Sequence, residues 1–263
     1  SLLRDLWRAF SNLKGPLAVR SSSVLEDSRF QPFAGVYATF MLPNNHADEN
    51  VRFQELLRAI KAVYASAFFA EAQHYLAGTP HDADDQMAVV IQQVVGQAHG
   101  DRYYPTISGV AQSYNYYPIG GQRADDGVVQ LALGLGQTVV SGEVALRVSP
   151  AAPTILPQFP SASAFFAGSQ RHFYAIDLSQ PQLDVAKAPE DLLVRCDLAA
   201  AEEDGVLDLV GSVYSAEDDV IRENLRARGP RIVTFNNILK WNSLPLAPAI
   251  GALCRLLREA IGE

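Results

Sequence analysis

The side chain best placed for chemistry is Arg20, which follows the apolar stretch 17–19 and precedes three serines at 21–23. A guanidinium at the end of a buried strand can bind two oxygens of a phosphate at once, and small hydroxylic neighbours present several backbone N–H groups to the same anion. The run is therefore compatible with a phosphate site. It is also compatible with a helix start, because Ser23 and Glu26 have the spacing of a capping box.

A glycine-rich segment, Gly134-Leu135-Gly136 with Gly142 further on, is a second candidate. Glycines allow the backbone to approach a ligand closely. The segment matches neither the phosphate-binding loop of P-loop nucleotidases nor the dinucleotide fingerprint, because no Lys-Ser/Thr pair follows and the third glycine is misplaced. A tight turn from a strand into a helix is the more frequent reason for such a pattern, and the residues alone favour that interpretation.

The third candidate is the segment 92–95, Gln-Gln-Val-Val, at the end of an apolar run that starts at Met87. A strand that leaves a sheet can offer backbone N–H and C=O groups to an adenine base while valine side chains cover the ring. An ordinary core strand with polar ends has the same pattern. From this segment alone, the core strand is the preferred interpretation.

Composition excludes several other classes of protein. The 263 residues carry 21 Lys and Arg against 29 Asp and Glu, a formal charge of −8, which excludes the strongly basic surface of a non-specific DNA-binding protein. Cys196 and Cys254 stand far apart, so neither a disulfide framework nor a zinc cluster is expected, and a reducing cytoplasm is the expected compartment. No apolar run has transmembrane length. We therefore expect neither a nucleic-acid partner nor a membrane partner.

No other polar cluster predicts a catalytic or metal-binding site. The acidic groups at 82–85, 202–204 and 217–219 are typical of solvated turns. The five histidines show neither metal-ligand spacing nor a nucleophile-type motif. We therefore assign no catalytic residue and no metal ligand within the chain.

Hydrophobic periodicity places these candidates in a mixture of helices and strands. Apolar residues repeat at helical spacing through 2–13, 49–76 and 248–261. A further helix is predicted over 215–228, because Ser215 and Asp218 have the spacing of an N-terminal cap. The pattern is neither a regular βαβ alternation nor all-β, so the predicted fold class is α+β. Strands are expected at 17–19, 36–42, 87–95, 106–116, 128–133, 172–177, 192–196 and 231–235.

Four segments, taken in order, form a pattern that is far more specific than any one of them. The segments are Val19-Arg20-Ser21-Ser22-Ser23-Val24-Leu25-Glu26-Asp27 with Phe33-Ala34-Gly35 and Thr39-Phe40, then Met87-Ala88-Val89-Val90-Ile91-Gln92, Ser108-Gly109-Val110, and Gly134-Leu135-Gly136 with Val140 and Gly142. Together they resemble the ATP-binding domain of the phosphoenolpyruvate synthase and pyruvate phosphate dikinase family. The first segment has the Arg-Ser-Ser form of the synthase and of related antibiotic phosphotransferases rather than that of the dikinase.

The resemblance implies an ATP-grasp-like fold, α+β with mixed sheets and packed helices, in which ATP lies between two lobes. Residues 1–150 would form the core segment with the nucleotide-binding motifs, and 151–263 the remainder of the ATP-binding domain. By position, Arg20 would hold ATP phosphates, and Gly35 and Thr39 would lie on the loop that covers them. The adenine side would be lined by Gln92, Val94 and Val95.

The same resemblance implies a reaction and its partners. In the family, the ATP-binding domain passes phosphate from ATP to a histidine on a separate, swivelling domain, and a pyruvate-binding domain then forms phosphoenolpyruvate. Positioning and charge neutralisation provide most of the catalysis in such transfers. ATP with Mg²⁺, and the phosphohistidine and pyruvate-binding domains of the same parent chain, are therefore the expected cofactors and partners.

The chain departs from the family pattern in ways that affect this expectation. In the family a Gly-Gly-Lys motif lies upstream of the first segment, and an acidic pair and a Gln-x-Arg motif follow a helix like 248–261. The sequence has none of these at those places. We therefore expect a central fragment, truncated before the Mg²⁺-binding strand, that folds but is inactive by itself, with the main Mg²⁺ ligands elsewhere in the parent. In addition, Gln137 replaces a family glutamate.

Two other functions remain open from the sequence. ATP domains of this kind also serve antibiotic phosphotransferases and glucan dikinases, so these residues do not imply pyruvate as the acceptor. A parent that keeps a degenerate nucleotide-binding module for regulation is the second alternative. Gln137 and the altered stretch after Gly109 favour that alternative slightly.

Overall fold

The structure is a computed structural model that describes residues 1–23, 37–76 and 87–261. It confirms the α+β prediction, because small antiparallel sheets are packed with helices. The chain divides into two compact units, here called unit 1 (Ser1–Tyr104 and Ala175–Val194) and unit 2 (Pro105–Tyr174 and Arg195–Glu263). Among the helices of the described ranges, none combines the length and the apolar character needed to cross a membrane.

Helices and strands are interspersed along the chain. The helices are α1 (Leu2–Phe10), α2 (Glu49–Ser66), α3 (Ala70–Leu76), α4 (Gln137–Val140), α5 (Ala162–Ala167), α6 (Leu198–Glu203), α7 (Leu207–Val210), α8 (Asn236–Leu239) and α9 (Leu246–Ile261). The strands are β1 (Leu17–Ser23), β2 (Thr39–Leu42), β3 (Met87–Gln93), β4 (Gln97–His99), β5 (Arg102–Tyr104), β6 (Ser108–Gln112), β7 (Val128–Ala132), β8 (Leu146–Val148), β9 (His172–Asp177), β10 (Leu193–Asp197), β11 (Gly211–Ser215), β12 (Val220–Arg222) and β13 (Arg231–Val233). They form sheets in the orders β2-β1-β3, β10-β9-β5-β4, β12-β11-β13 and β6-β7-β8.

Unit 1 contains the sheet β2-β1-β3, in which both neighbours run antiparallel to the central strand β1. Alternate residues of a strand face opposite sides of the sheet. One face therefore carries Leu17 and Val19, which are buried together with Phe40 of β2. These side chains form a hydrophobic core with α1 and α2, to which the helices contribute Phe10, Phe53, Leu56, Ala59 and Val63.

The predicted helix 49–76 is present but is divided into α2 and α3. It begins as a capped helix, because the Asp48 carboxylate accepts the Asn50 N–H at 2.8 Å. Where α2 ends, the buried Ser66 donates its hydroxyl to a carbonyl of the preceding turn and accepts the Ala38 N–H. A serine that bonds back to its own helix competes with the helical hydrogen bonds. This competition accounts for the interruption after Ser66.

Glu55 on α2 is a buried carboxylate that binds Ala175–Val194, the later segment of the chain that belongs to unit 1. It is 6% exposed, accepts the Leu183 N–H at 2.8 Å and pairs with Arg58 at 3.2 Å. Replacing Glu55 by alanine leaves that buried N–H without an acceptor. We therefore expect Glu55→Ala to lower the free energy of unfolding by about 2–3 kcal/mol, measured by urea denaturation followed by circular dichroism.

Glu55→Gln is the matched control for this prediction. Its amide oxygen can still accept the Leu183 N–H, and the lost ion pair is with Arg58, whose side chain is 59% exposed. The expected loss is therefore below about 1 kcal/mol. Equal losses in the two variants would mean that the charge of Glu55, and not its hydrogen bond to Leu183, holds the segment.

Unit 2 contains the sheets β6-β7-β8 and β12-β11-β13, both antiparallel. Within the second of these sheets, the hydroxyls of Ser212 and Thr234 form a buried hydrogen bond of 2.7 Å. α9 packs on β6, and the buried Cys254 of α9 lies 3.8 Å from the Gln112 carbonyl oxygen of β6. The helix predicted over 248–261 is confirmed and begins two residues earlier.

The helix predicted over 215–228 is wrong. Ser215 is the last residue of β11, and β12 pairs back onto that strand. The Ser215 hydroxyl does contact the Asp218 carboxylate, at 3.2 Å, but the contact lies in a hairpin turn in which Asp219 has a positive φ of 49°. A capping pair and a tight turn share the same three-residue spacing, so the sequence pattern does not separate them.

Candidate functional site

One face of the unit 1 sheet, the face opposite its core, carries three of the residues predicted to bind ATP. Arg20 of β1 is paired with Thr39 of β2, and Gln92 of β3 is paired with Ala18, two positions from Arg20. The prediction that Thr39 lies on a covering loop is wrong, because Thr39 is the first residue of β2 and pairs with β1. Residues that pair across strands share a face with each other and with residues two positions along the strand. Arg20, Thr39 and Gln92 therefore lie on one face, which is a condition for binding one common ligand.

Arg20 is the cationic centre of this face. Its side chain is exposed, whereas the three residues before it in β1 are buried. No carboxylate of the described ranges forms an ion pair with its guanidinium. Its cross-strand neighbours are Thr39, which adds a hydroxyl, and Val90, which adds an apolar surface. An unpaired guanidinium in such a place can bind two oxygens of an anion.

The three serines after Arg20 belong to β1, which ends at Ser23. Ser21 and Ser23 are buried on the core side, whereas Ser22 shares the face of Arg20 and is partly exposed. The backbone of 21–23 pairs with β3. Ser23 is thus a strand residue. The other half of its possible capping pair, Glu26, and the predicted site residue Gly35 both lie outside the described ranges.

Val94 and Val95 follow the end of β3, where the adenine side is predicted. The Val94 N–H donates to the Pro16 carbonyl at 2.9 Å, and the Val94 carbonyl accepts the Tyr103 hydroxyl at 2.9 Å. Val95 is 83% exposed, and its backbone forms no hydrogen bond with the residues that the structure describes. Open backbone groups for a base are therefore offered by Val95 rather than by Val94.

Tyr103 is a positioning residue that sequence analysis did not identify. It lies on β5 of the β4–β5 hairpin and holds the Val94 carbonyl. Gly96 permits this approach, because a Cβ at that position would lie 2.8 Å from the Tyr103 ring. The glycine is the one signal in the sequence. Nothing in the segment 96–105 specifies that the hairpin returns to Val94.

The predicted phosphate and adenine positions are separated along β3. Val95 lies five residues beyond Val90, the partner of Arg20, which corresponds to at most roughly 17 Å of extended chain. Gln92 lies between these two positions. An extended ATP molecule spans a comparable distance, so a single nucleotide can reach both Arg20 and Val95.

The glycine-rich segment lies in unit 2 and forms the turn from β7 into α4. Gly134 has φ +83°, and a Cβ there would lie 2.8 Å from both the Phe173 Cβ and the Tyr174 carbonyl oxygen. That same carbonyl accepts the Leu135 N–H at 2.9 Å. Gly136, in contrast, has open space at its Cβ position. The strand-to-helix turn is confirmed, and Gly134 is the glycine that the turn requires.

The side chains beside this turn include a hydroxyl donor, Tyr174, with its acceptor Glu143, and an uncharged amide, Gln137. The Tyr174 hydroxyl donates to the Glu143 carboxylate at 2.5 Å, and this bond, assisted by burial, raises the pKa of Tyr174. Tyr174 therefore stays a neutral hydrogen-bond donor at pH 7. Gln137, at the position of a family glutamate, is the first residue of α4 and adds no charge.

The described residues do not form a magnesium site by themselves. Within 1–23, 37–76 and 87–261, no group of three or more His, Cys, Asp or Glu side chains is arranged to hold a metal ion. Magnesium in nucleotide sites is usually held by one or two carboxylates together with substrate phosphates. The face around Arg20 and Thr39 offers a hydroxyl and a cation instead, so a Mg²⁺ ion there would need carboxylates from elsewhere.

Comparison with known proteins adds two findings. Residues 1–158 match the sequence model of the family described as pyruvate phosphate dikinase, AMP/ATP-binding domain. The matched range is more than half of the chain and includes both the exposed face of the unit 1 sheet and the glycine-rich turn. Among curated proteins, none matches the chain.

Proposed function

Because the chain belongs to the family of pyruvate phosphate dikinase AMP/ATP-binding domains, we propose that ATP binds on the exposed face of its unit 1 sheet. The fold is ATP-grasp-like, and the chain is the ATP-binding part of a kinase-type phosphotransferase similar to phosphoenolpyruvate synthase. In the proposal, Arg20 holds phosphate oxygens, Thr39 donates its hydroxyl to them, and Gly35 lies on the segment that covers them.

The observation that carries this proposal is the pairing of Arg20 with Thr39 on a face where no carboxylate of the described residues pairs with the guanidinium. Arg20 has no ion-pair partner among the described residues, so a phosphate does not have to displace one. Charge-assisted hydrogen bonds to guanidinium are about twice as strong as neutral ones. A triphosphate is therefore the ligand group that this face favours.

The adenine end is assigned to Gln92, Val94 and Val95. The Val95 N–H and C=O are open, and its exposed side chain can cover one side of the ring. Tyr103 fixes the course of the chain at Val94 and so positions Val95 without touching the base. The Gln92 side chain is exposed on the same face as Arg20, between the two ends of the nucleotide.

The proposed reaction follows the family. A histidine nitrogen of a separate domain of the parent attacks a phosphorus of ATP, and the bond from that phosphorus to the bridging oxygen breaks, so that the shortened nucleotide leaves with this oxygen. Pyruvate loses a methyl proton to a base of its own domain, the resulting enolate oxygen attacks the phosphorus of the phosphohistidine, and the P–N bond breaks to return the histidine. Such transfers depend on positioning and charge neutralisation. Arg20 supplies part of that neutralisation, and we propose that Mg²⁺ supplies the rest through ligands outside the described residues.

We further propose that residues 1–150 carry the nucleotide-binding motifs and that 151–263 continue the ATP-binding domain. The reaction takes place in the cytoplasm. The chain by itself does not complete phosphoryl transfer, since it contains neither the Gly-Gly-Lys nor the Gln-x-Arg motif of the family.

Titration of the ¹⁵N-labelled chain with ATP, followed by NMR, tests the proposal. We expect weak saturable binding, with a Kd of about 1 mM, that Mg²⁺ changes little because its carboxylate ligands are missing. The shifted amides should include those of β1, β2 and residues 92–95. Inorganic tripolyphosphate should shift the β1 and β2 amides but not residues 94 and 95, because it has no base.

Two outcomes would contradict the proposal. Shifts confined to unit 2 would place the nucleotide away from Arg20. Tight, Mg²⁺-dependent binding in the micromolar range would show that the chain holds a complete site, which the proposal denies. Assays of nucleotide release that detect both AMP and ADP, run on the same samples, test whether the chain is inactive by itself, and turnover above background would refute that part of the proposal.

A further inference from the structure

Unit 2 contains a cleft of about 500 Å³ between α9 and two loops. Its size lies within the range of small-molecule sites. Part of the wall is apolar and part carries charge. The lining residues are Asp125, Asp126, Pro150, Ala151, Pro153, Ala247, Pro248, Gly251, Cys254, Arg255 and Arg258.

The two acidic residues of the cleft are already engaged by Arg123. The Asp125 carboxylate lies 3.5 Å from the Arg123 guanidinium, and the Asp126 carboxylate accepts the Arg123 N–H at 2.8 Å. Both bonds belong to the single turn of 3₁₀ helix at Ala124–Asp126. These carboxylates therefore serve the local fold rather than a cation in the cleft.

The two arginines of the cleft are not engaged in this way. Arg258 has a buried Nε without a hydrogen-bond partner in the part of the chain that the structure describes. Neither Arg255 nor Arg258 has an ion-pair partner within those ranges. A buried N–H of a charged group that lacks an acceptor is costly. Because Arg258 lines the cleft, an anion bound there would lie beside its guanidinium and could pair with it.

The arginines also lie close together. They are three residues apart on α9, so their side chains share one side of the helix. Both influence the buried thiol of Cys254: burial raises the pKa of that thiol, and the two positive charges oppose the rise. The two arginines therefore line the same side of the cleft, the side formed by α9.

The remaining wall is apolar and leaves space. Pro150, Pro153 and Pro248 present rings to the cleft. At Gly251 a Cβ would meet only one atom within 4 Å, a guanidinium nitrogen of Arg255 at 3.7 Å. The glycine therefore leaves room for a ligand atom beside Arg255, next to surfaces that favour an apolar group.

We propose that this cleft binds a small organic anion, with its carboxylate or phosphate group on Arg255 and Arg258 and its apolar body against the proline-lined wall. This site belongs to unit 2, and its ligand is distinct from the ATP proposed on unit 1. The proposal does not depend on ATP binding. An anion here would act on the chain without contacting Arg20.

The test uses the ¹⁵N-labelled chain at constant ionic strength and four probes: phenyl phosphate, benzoate, inorganic phosphate and benzyl alcohol. We expect phenyl phosphate or benzoate to bind saturably and to shift amides of α9 and of 150–153. The tighter of the two identifies the acidic group as phosphate or carboxylate. Inorganic phosphate, which lacks the apolar body, and benzyl alcohol, which lacks the charge, should each bind at least tenfold more weakly.

Variants locate the binding. Arg255→Gln and Arg258→Gln should each weaken it by about tenfold or more, the effect of losing a hydrogen bond to a charged group. Arg228→Gln removes the same charge from an exposed residue of unit 2 and should leave binding unchanged. Arg20→Gln should also leave it unchanged, which separates this site from the ATP site.

Gly251→Leu provides a test that keeps both charges. The position is helical and has space for a side chain, so the variant should fold and fill the cleft, while Gly251→Ala adds a single methyl group. Binding should be lost in the leucine variant and largely kept in the alanine variant. The proposal is overturned if no probe binds at concentrations up to about 10 mM. It is also overturned if benzyl alcohol binds as tightly as benzoate, or if the Gly251→Leu variant folds and binds the probes normally.

Discussion

Replacing Arg20 by glutamine is expected to weaken the binding of both ATP and inorganic tripolyphosphate by at least tenfold. Arg20 is the cation at the centre of the face, and its guanidinium can make two charge-assisted hydrogen bonds to one phosphate. Each such bond is worth about 1.5–3 kcal/mol. Glutamine keeps the first part of the aliphatic chain and an N–H donor, but it is shorter by two bonds and removes the charge.

The control variants separate this local effect from a general loss of charge. Arg8→Gln removes the same charge from an exposed position on α1, on the core side of the sheet, and should leave binding unchanged. Thr39→Val removes one hydroxyl from the neighbour of Arg20 at nearly constant volume, and should weaken both ligands by roughly three- to tenfold. Comparable losses in the Arg8 and Arg20 variants would contradict a specific phosphate site.

In the parent enzyme, replacing Arg20 should also slow the reaction. We expect Arg20→Ala to reduce ATP-dependent phosphoenolpyruvate formation by at least 100-fold, since the triphosphate would lose both a positive charge and its orientation. The measurement is a coupled assay at saturating pyruvate. A near-normal rate would exclude Arg20 from the phosphate site, even if the isolated chain still bound ATP.

The elements that carry these residues were predictable to different degrees. The apolar periodicity of α1, α2 and α9 and the apolar run of β3 predicted the right element at each place, because one stripe or one strand is buried in each case. The common face of Arg20, Thr39 and Gln92 was not predictable from local pattern. It depends on the register between three strands, which the turns and the core packing determine.

Other features depend on partners that are distant in the chain. Tyr103 reaches Val94 only because the β4–β5 hairpin folds back, and no local pattern specifies that contact. The 215–228 segment has the composition of a helix start, yet β11 and β12 pair there, since Asp219 binds both the Tyr214 hydroxyl and the Ser163 N–H. Tertiary contacts of this kind override a local preference of about 1 kcal/mol.

The cleft of unit 2 could not be predicted from the sequence at all. Its arginines and Pro248 lie on α9, whereas Pro150, Pro153 and the two acidic residues come from segments roughly 100 to 130 residues earlier in the chain. Arg255 and Arg258 have the exposed-face spacing common to most amphipathic helices. Their place on the wall of a cleft, and the burial of the Arg258 Nε without an acceptor among the described residues, are properties of the folded chain.

The glycine-rich turn leads to the second large expected effect: Gly134→Ala should lower the free energy of unfolding of unit 2 by about 2–4 kcal/mol. Gly134 has φ +83°, a conformation that costs other residues about 1–2 kcal/mol. The added methyl would also lie 2.8 Å from both the Phe173 Cβ and the Tyr174 carbonyl oxygen. Since that oxygen accepts the Leu135 N–H, relief of the clash would also strain this hydrogen bond.

Gly136→Ala is the matched control, because it adds the same methyl two residues away. Gly136 has φ −61°, and nothing lies within 4 Å of its Cβ position, so we expect a change in unfolding free energy within about 0.5 kcal/mol. Urea denaturation followed by tryptophan fluorescence and circular dichroism measures both variants. Equal stability losses would refute the structural role assigned to Gly134. If Gly136→Ala were stable yet impaired ATP binding, the open space at Gly136 would be ligand space, and the motif would serve both the fold through Gly134 and the nucleotide through Gly136.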